Sequence, residues 1–95
     1  MDLSLDTIAD LLVAVGYIVE GKPAEAVKRL SFITMVALRM LDDNKPSVSN
    51  KEGLKRCVNQ YTEWIGAILK GKGEGVVLDI CWMIRCRVEK DGGKT

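Results

Sequence analysis

The sequence predicts an all-α fold, a small four-helix bundle built as two helical hairpins. Three observations carry that expectation. Apolar residues recur at alternating steps of three and four, the spacing that keeps side chains on one stripe of a helix. Glycine and proline punctuate the chain at 21–23, around 46 and at 71–75, leaving four helix-length segments between them. The chain has 95 residues, 47% of them hydrophobic, which is the size of one domain and enough apolar content to exclude disorder over most of the length. One helical domain over 1–90 with a flexible tail at 91–95 is therefore expected.

The first helix is expected over residues 3–20. Leu5, Ile8, Leu12, Val15 and Val19 follow steps of 3, 4, 3 and 4 and define the stripe expected to face the core; Leu11, Ala14 and Ile18 widen it. Asp2 or Ser4 can cap its start and Gly21 can end it. Pro23 suits the first position of the second helix, where its missing N–H is not needed. Ala26, Leu30, Ile33, Ala37 and Met40 form the inward stripe of that helix. Phe32, Met35, Val36 and Leu38 are apolar on its other sides. Asp42 to Ser47 has turn chemistry.

The third helix is expected from about Asn50 to Lys70. Ser49 and Glu52 have the spacing of a capping box, and Glu52 with Arg56 that of a supporting ion pair. Leu54, Val58, Tyr61, Ile65 and Ile68 make its stripe. Gly71 to Gly75 reads as a break. The fourth helix then runs from Val76 to about Lys90, with Val77, Ile80, Ile84 and Val88 inward. Within it, Ile84, Cys86 and Val88 alternate with Arg85, Arg87 and Glu89, the period of a strand. The long apolar run and the lack of a strand partner favour helix.

Gly16-Tyr-Ile-Val-Glu-Gly-Lys22 echoes Gly66-Ala-Ile-Leu-Lys-Gly-Lys72 at an offset of 50, which places Val27 with Val77 and Leu30 with Ile80. Two similar hairpins would produce that echo. Tyr17, Gly21, Glu25, Ala26 and Leu30 resemble the turn pattern of tetratricopeptide units and of the microtubule-interacting-and-trafficking domain, and Cys57 to Tyr61 resembles the third helix of the latter. The likeness covers about half the chain and implies helical-hairpin architecture alone.

Composition excludes several chemistries. There is no histidine, so hydrolases that need a His base, and nucleases built on an Arg-to-His motif, have no candidate. Cys57, Cys81 and Cys86 lack zinc-ligand spacing, and Cys81 and Cys86 project about 140° apart at ~100° per residue; all three read as small buried hydrophobes. Asp2, Asp6 and Asp10 share a helix face, read as solvated. The Gly71–Gly75 loop lacks the ending and the preceding strand of a P-loop. No catalytic, cofactor or metal-binding residue is expected, and the protein is expected not to be an enzyme.

Net charge is +1, but it is unevenly placed. Residues 1–21 carry Asp2, Asp6, Asp10 and Glu20 without a base; residues 44–72 carry six bases against Glu52 and Glu63. No secretory leader and no membrane span are expected, so a cytoplasmic location follows. The absence of histidine and the few side-chain amides fit a thermophilic source as well as they fit chance in a short chain. The favoured function is a protein-interaction module that self-associates as a homodimer or larger, through Phe32, Met35, Val36, Trp82 and Met83, with Trp64 as a further anchor. The alternative is a nucleic-acid-associated accessory protein using Lys51, Lys55 and Arg56 with Arg85, Arg87 and Lys90.

Overall fold

The computed structural model describes the backbone of residues 5–43 and 48–92 and the side chains of 5–43 and 51–90. Among the described residues there are four helices: α1 (Leu5–Val19), α2 (Pro23–Asp42), α3 (Val48–Leu69) and α4 (Gly73–Gly92). There is no strand among the described residues, so the alternation at 84–88 sits on helix. Asp2, Ser4 and the loop at 44–47 lie outside the described residues. α3 begins before Ser49, whose side chain also lies outside them. Asp91 and Gly92, expected in the tail, still have helical backbone.

The two short turns are built alike. Gly21 and Gly71 both adopt φ 79°, a left-handed conformation open to glycine at little cost. Lys22 N–H donates to Tyr17 O at 2.7 Å and Gly21 N–H to Ile18 O at 3.1 Å; Lys72 donates to Ala67 O at 2.9 Å and Gly71 to Ile68 O at 3.0 Å. These are the paired bonds of a Schellman cap, which satisfies the last free carbonyls of a helix. After each cap the next helix starts at the same interval, so α2 and α4 span equivalent positions at an offset of 50.

The fourth helix begins earlier than the sequence pattern predicts. Only Gly71 is needed for backbone reversal; Gly73 and Gly75 already belong to the first turn of α4. Gly73 has a separate reason to lack a side chain. A Cβ there would sit 3.0 Å from Ile18 Cγ2, so α4 starts hard against the end of α1. Pro23, its equivalent in the first hairpin, is exposed.

The core unites all four helices: Leu11 and Ala14; Ala26, Leu30 and Ile33; Cys57, Tyr61, Trp64 and Ile68; Val76 and Ile80. Offset-50 partners recur in it. Leu11 matches Tyr61, Ala14 matches Trp64, Ala26 matches Val76 and Leu30 matches Ile80, so in the first three pairs the residue of the second hairpin is the larger and in the fourth the two are equal in size. α2 packs most extensively, against α3 and α1; α4 touches α1 and α3 over shorter stretches. The molecule measures 38 × 36 × 18 Å. A 20-residue helix is ~30 Å long, so two dimensions are of helix length or more, and the fold is the expected small four-helix bundle in a flattened form.

Several inward assignments are corrected by this packing. On α1, Leu5, Leu12 and Val19 are exposed, Ile8 and Val15 are half-buried, and Leu11 and Ala14 are the buried pair. α1 is apolar almost all round, so its periodicity admits two faces. The face that Ala14 keeps narrow is the one that docks, and Asp10 beside it accepts a hydrogen bond from Arg29 Nη1 of α2 at 3.2 Å. Met40 and Val88, expected inside, are exposed because each lies near the far end of its helix, beyond the packed region. Glu52 pairs with Lys55 at 3.5 Å rather than with Arg56.

Candidate interaction surface

α2 and α4 each turn a buried face inward, and their opposite faces carry the candidate residues. Phe32 is 53% exposed, with Met35 and Val36 exposed beside it. Trp82 is 67% exposed and, at an offset of 50, occupies on α4 the position Phe32 holds on α2. Met83 differs: it is half-buried and packs against the core, one step around the helix from Trp82. Trp64 is no surface anchor. It is 2% exposed, its indole N–H donates to Asp79 Oδ2 at 3.3 Å, and its ring lies 6.0 Å from that of Tyr61. That bond fastens α3 to α4.

Further apolar residues, some of them expected inside, are exposed. Leu5, Leu12, Val13 and Val19 on α1 and Leu78 on α4 are open to solvent. Their signal was the excess of apolar positions beyond one stripe per helix. Phe32, Val36 and Met40 also edge a cleft of about 370 Å³ walled by α1 and by Leu54, Cys57 and Tyr61 of α3. A second hollow of about 470 Å³ lies between the two turns, lined by Ile18, Val19, Pro23, Ile68 and Val77. Both walls are chiefly apolar. In the first, Asp6 and Asp10 stand at the α1 side, and Asp10 is already held by Arg29.

At the bottom of that cleft, the Tyr61 hydroxyl bonds to the Cys57 thiol one helical turn away. Burial pushes both groups above their ordinary values, and the neighbouring thiol adds to the rise on Tyr61. Both are therefore neutral and poor nucleophiles near neutral pH. Cys57 is buried as expected, whereas Cys81 and Cys86 are exposed, because they fall on the outward faces of α4. Among the described residues no three Cys, Asp or Glu side chains come together.

The basic residues split into engaged and open groups. Lys55 pairs with Glu52 at 3.5 Å, and Arg85 with Glu89 at 3.2 Å. Lys51 and Arg87 are half-buried, while Arg56 and Lys90 are exposed. The cluster of Lys51, Lys55 and Arg56 lies near the start of α3 and that of Arg85, Arg87 and Lys90 near the end of α4. Acids interleave with them. No described helix is long and apolar enough to cross a membrane. Comparison with protein-family models, with curated proteins and with solved structures finds no match.

Proposed function

We propose that this protein is a cytoplasmic, non-enzymatic interaction module that acts by self-association, as a homodimer or larger assembly. The observation that carries this reading is the set of large apolar side chains left exposed on the helices. The accessible surface of the whole chain, polar and apolar together, is 6509 Å², against roughly 5,400 Å² for a folded monomer of this size. The difference, about 1,100 Å², is on the scale of the ~800 Å² that each partner loses in an ordinary stable interface. Phe32, Met35 and Val36 on α2 and Trp82 on α4 are among the exposed apolar side chains outside α1, with Leu69, Leu78 and Val88 exposed as well. Aromatic anchors of this kind dominate interface energies.

Light scattering across a concentration series tests the reading. A dimer or larger species at micromolar concentration is expected, and a clean monomer at high concentration would refute it. Trp82→Ala should weaken association at least tenfold, for a cost of roughly 2 kcal/mol or more, with helix content kept because the side chain is exposed. The nucleic-acid reading gives a different result. Binding to DNA or RNA through Arg56 and Lys90 would weaken steeply as salt rises, whereas apolar association would hold or strengthen.

A further inference from the structure

The outward face of α1 is a second, better-patterned contact surface than the α2 and α4 patches. Leu5, Leu12 and Val19 recur every seven residues and are 78%, 50% and 73% exposed. Ile8 and Val15 stand between them, half-buried. The spacing is that of the a and d positions of a coiled coil; Leu5, Leu12 and Val19 face solvent, while Ile8 and Val15 pack partly against the core. Ala9 and Gly16 flank this row, small enough to let another backbone approach.

The other hairpin supplies an internal control. At an offset of 50, Leu5 corresponds to Lys55, Ala9 to Asn59, Leu12 to Thr62 and Val19 to Leu69, and those four positions of α3 are exposed. At these four positions α3 carries three polar residues and α1 none, whereas Ile8 and Val15 match Val58 and Ile65, apolar and half-buried in both hairpins. The fold does not require apolar residues at the four exposed positions, and water does not favour them.

We propose that α1 pairs with α1 of a second copy, antiparallel, about a two-fold axis passing beside Leu12. The pattern reads alike in both directions from that residue. With Leu12 on the axis, Leu5 meets Val19 of the other copy at each end. Ile8 and Val15 come together along one flank, and Ala9 and Gly16 close the other. Such a patch is self-complementary, the requirement for an isologous dimer. The segment Leu11–Val19 carries no charge, and Asp10 is neutralised by Arg29, so no like charges meet at the centre. The whole-chain surface excess of about 1,100 Å² calculated above is on the scale of the ~800 Å² that each partner loses in an ordinary stable interface. The pairing rests on the self-association reading and adds to the α2 and α4 patches a second face for it.

Single-cysteine cross-linking tests it, in full-length protein carrying Cys81→Ser and Cys86→Ser and with Cys57 left in the core. On mild oxidation, Leu12→Cys should form a covalent dimer efficiently. Leu5→Cys alone should not, because an antiparallel pair separates the two copies of residue 5 by about 21 Å at 1.5 Å per residue. A mixture of Leu5→Cys with Val19→Cys should cross-link. Leu12→Asp, which removes no core contact, should reduce association at least tenfold with unchanged circular dichroism. Cross-linking of Leu5→Cys as efficient as that of Leu12→Cys would mean a parallel pair and would overturn the proposal. Unmodified protein that is oligomeric by light scattering, with Leu12→Cys failing to cross-link, would overturn the α1 pairing and leave self-association standing. A monomeric protein would overturn both.

Discussion

Helices α2 and α4 have the same length, follow the same turn and sit in the same register, yet they are held very differently. α2 buries Ala26, Leu30, Ile33, Thr34 and Ala37, spread over three turns. α4 buries Val76 and Ile80 near its start, and from Cys81 to Lys90 every side chain is half-buried or exposed. The difference lies in the neighbours. α2 lies between α1 and α3 along much of its length, while α4 meets those helices over shorter stretches. A turn and a period specify that a helix forms and which way it faces; how much of it is buried depends on what the rest of the chain places beside it. Thr34 shows how far this goes on α2, where the buried hydroxyl is satisfied by donating to Leu30 O at 2.7 Å.

The largest effect that could break this comparison comes from paired truncations. Leu30 and Ile80 are equivalent and both wholly buried. Leu30→Ala should cost about 3–5 kcal/mol, near the top of the range for core truncations. Ile80→Ala should cost about 2 kcal/mol, since the lightly held α4 can collapse into the space. Urea unfolding of both variants measures this, and equal losses would show that α4 is gripped as tightly as α2. Hydrogen exchange gives the same contrast without mutation: amides of residues 82–90 should exchange much faster than those of 30–37.

Gly73 and Gly75 sharpen the picture on a smaller scale. Gly75→Ala meets nothing within 4 Å and should stabilise the helix by up to about 1 kcal/mol. Gly73→Ala should be destabilising by about 1 kcal/mol, because the new methyl presses on Ile18. If both substitutions stabilise, α4 is free to shift away from α1. The mildest perturbation is alkaline pH. Cys57 and Tyr61 are raised by burial above their ordinary 9.0 and 10.0, so the folded chain keeps protons that the unfolded chain releases. Stability should be fully present below about pH 9 and decline as pH climbs past those ordinary values. Tyr61→Phe should flatten the decline, as followed by thermal unfolding.

Much of this architecture is legible in the sequence where a residue type has one physical use. Gly21 and Gly71 mark caps because few other residues adopt their backbone angles, and Pro23 marks a helix start. The offset-50 echo likewise foretells two turns with the same hydrogen bonds. Legibility fails where a residue has two uses. Gly73 and Gly75 look like further breaks, but one makes room for Ile18 and the other merely sits in a helix. α1 has two apolar stripes, and the better-spaced one is outside. Trp64 looks like an interface anchor, and only the small Ala14 at the matching position of α1 hints that a large side chain fills the centre. Of the surface residues expected, Phe32, Met35, Val36 and Trp82 are exposed and Met83 is half-buried against the core.

The contrast between the two tryptophans has an optical consequence. Trp64 is sealed in the core against Tyr61, and Trp82 stands in water. Emission from the folded chain should therefore be a composite, with a blue component that iodide cannot reach and a red one that it quenches readily. Unfolding should erase the first while leaving the second almost unmoved. Burial of Trp82 against another surface should do the reverse, shifting its emission to the blue and protecting it from iodide while Trp64 reports nothing. One chain with no added label thus carries separate optical channels for its fold and for its contacts.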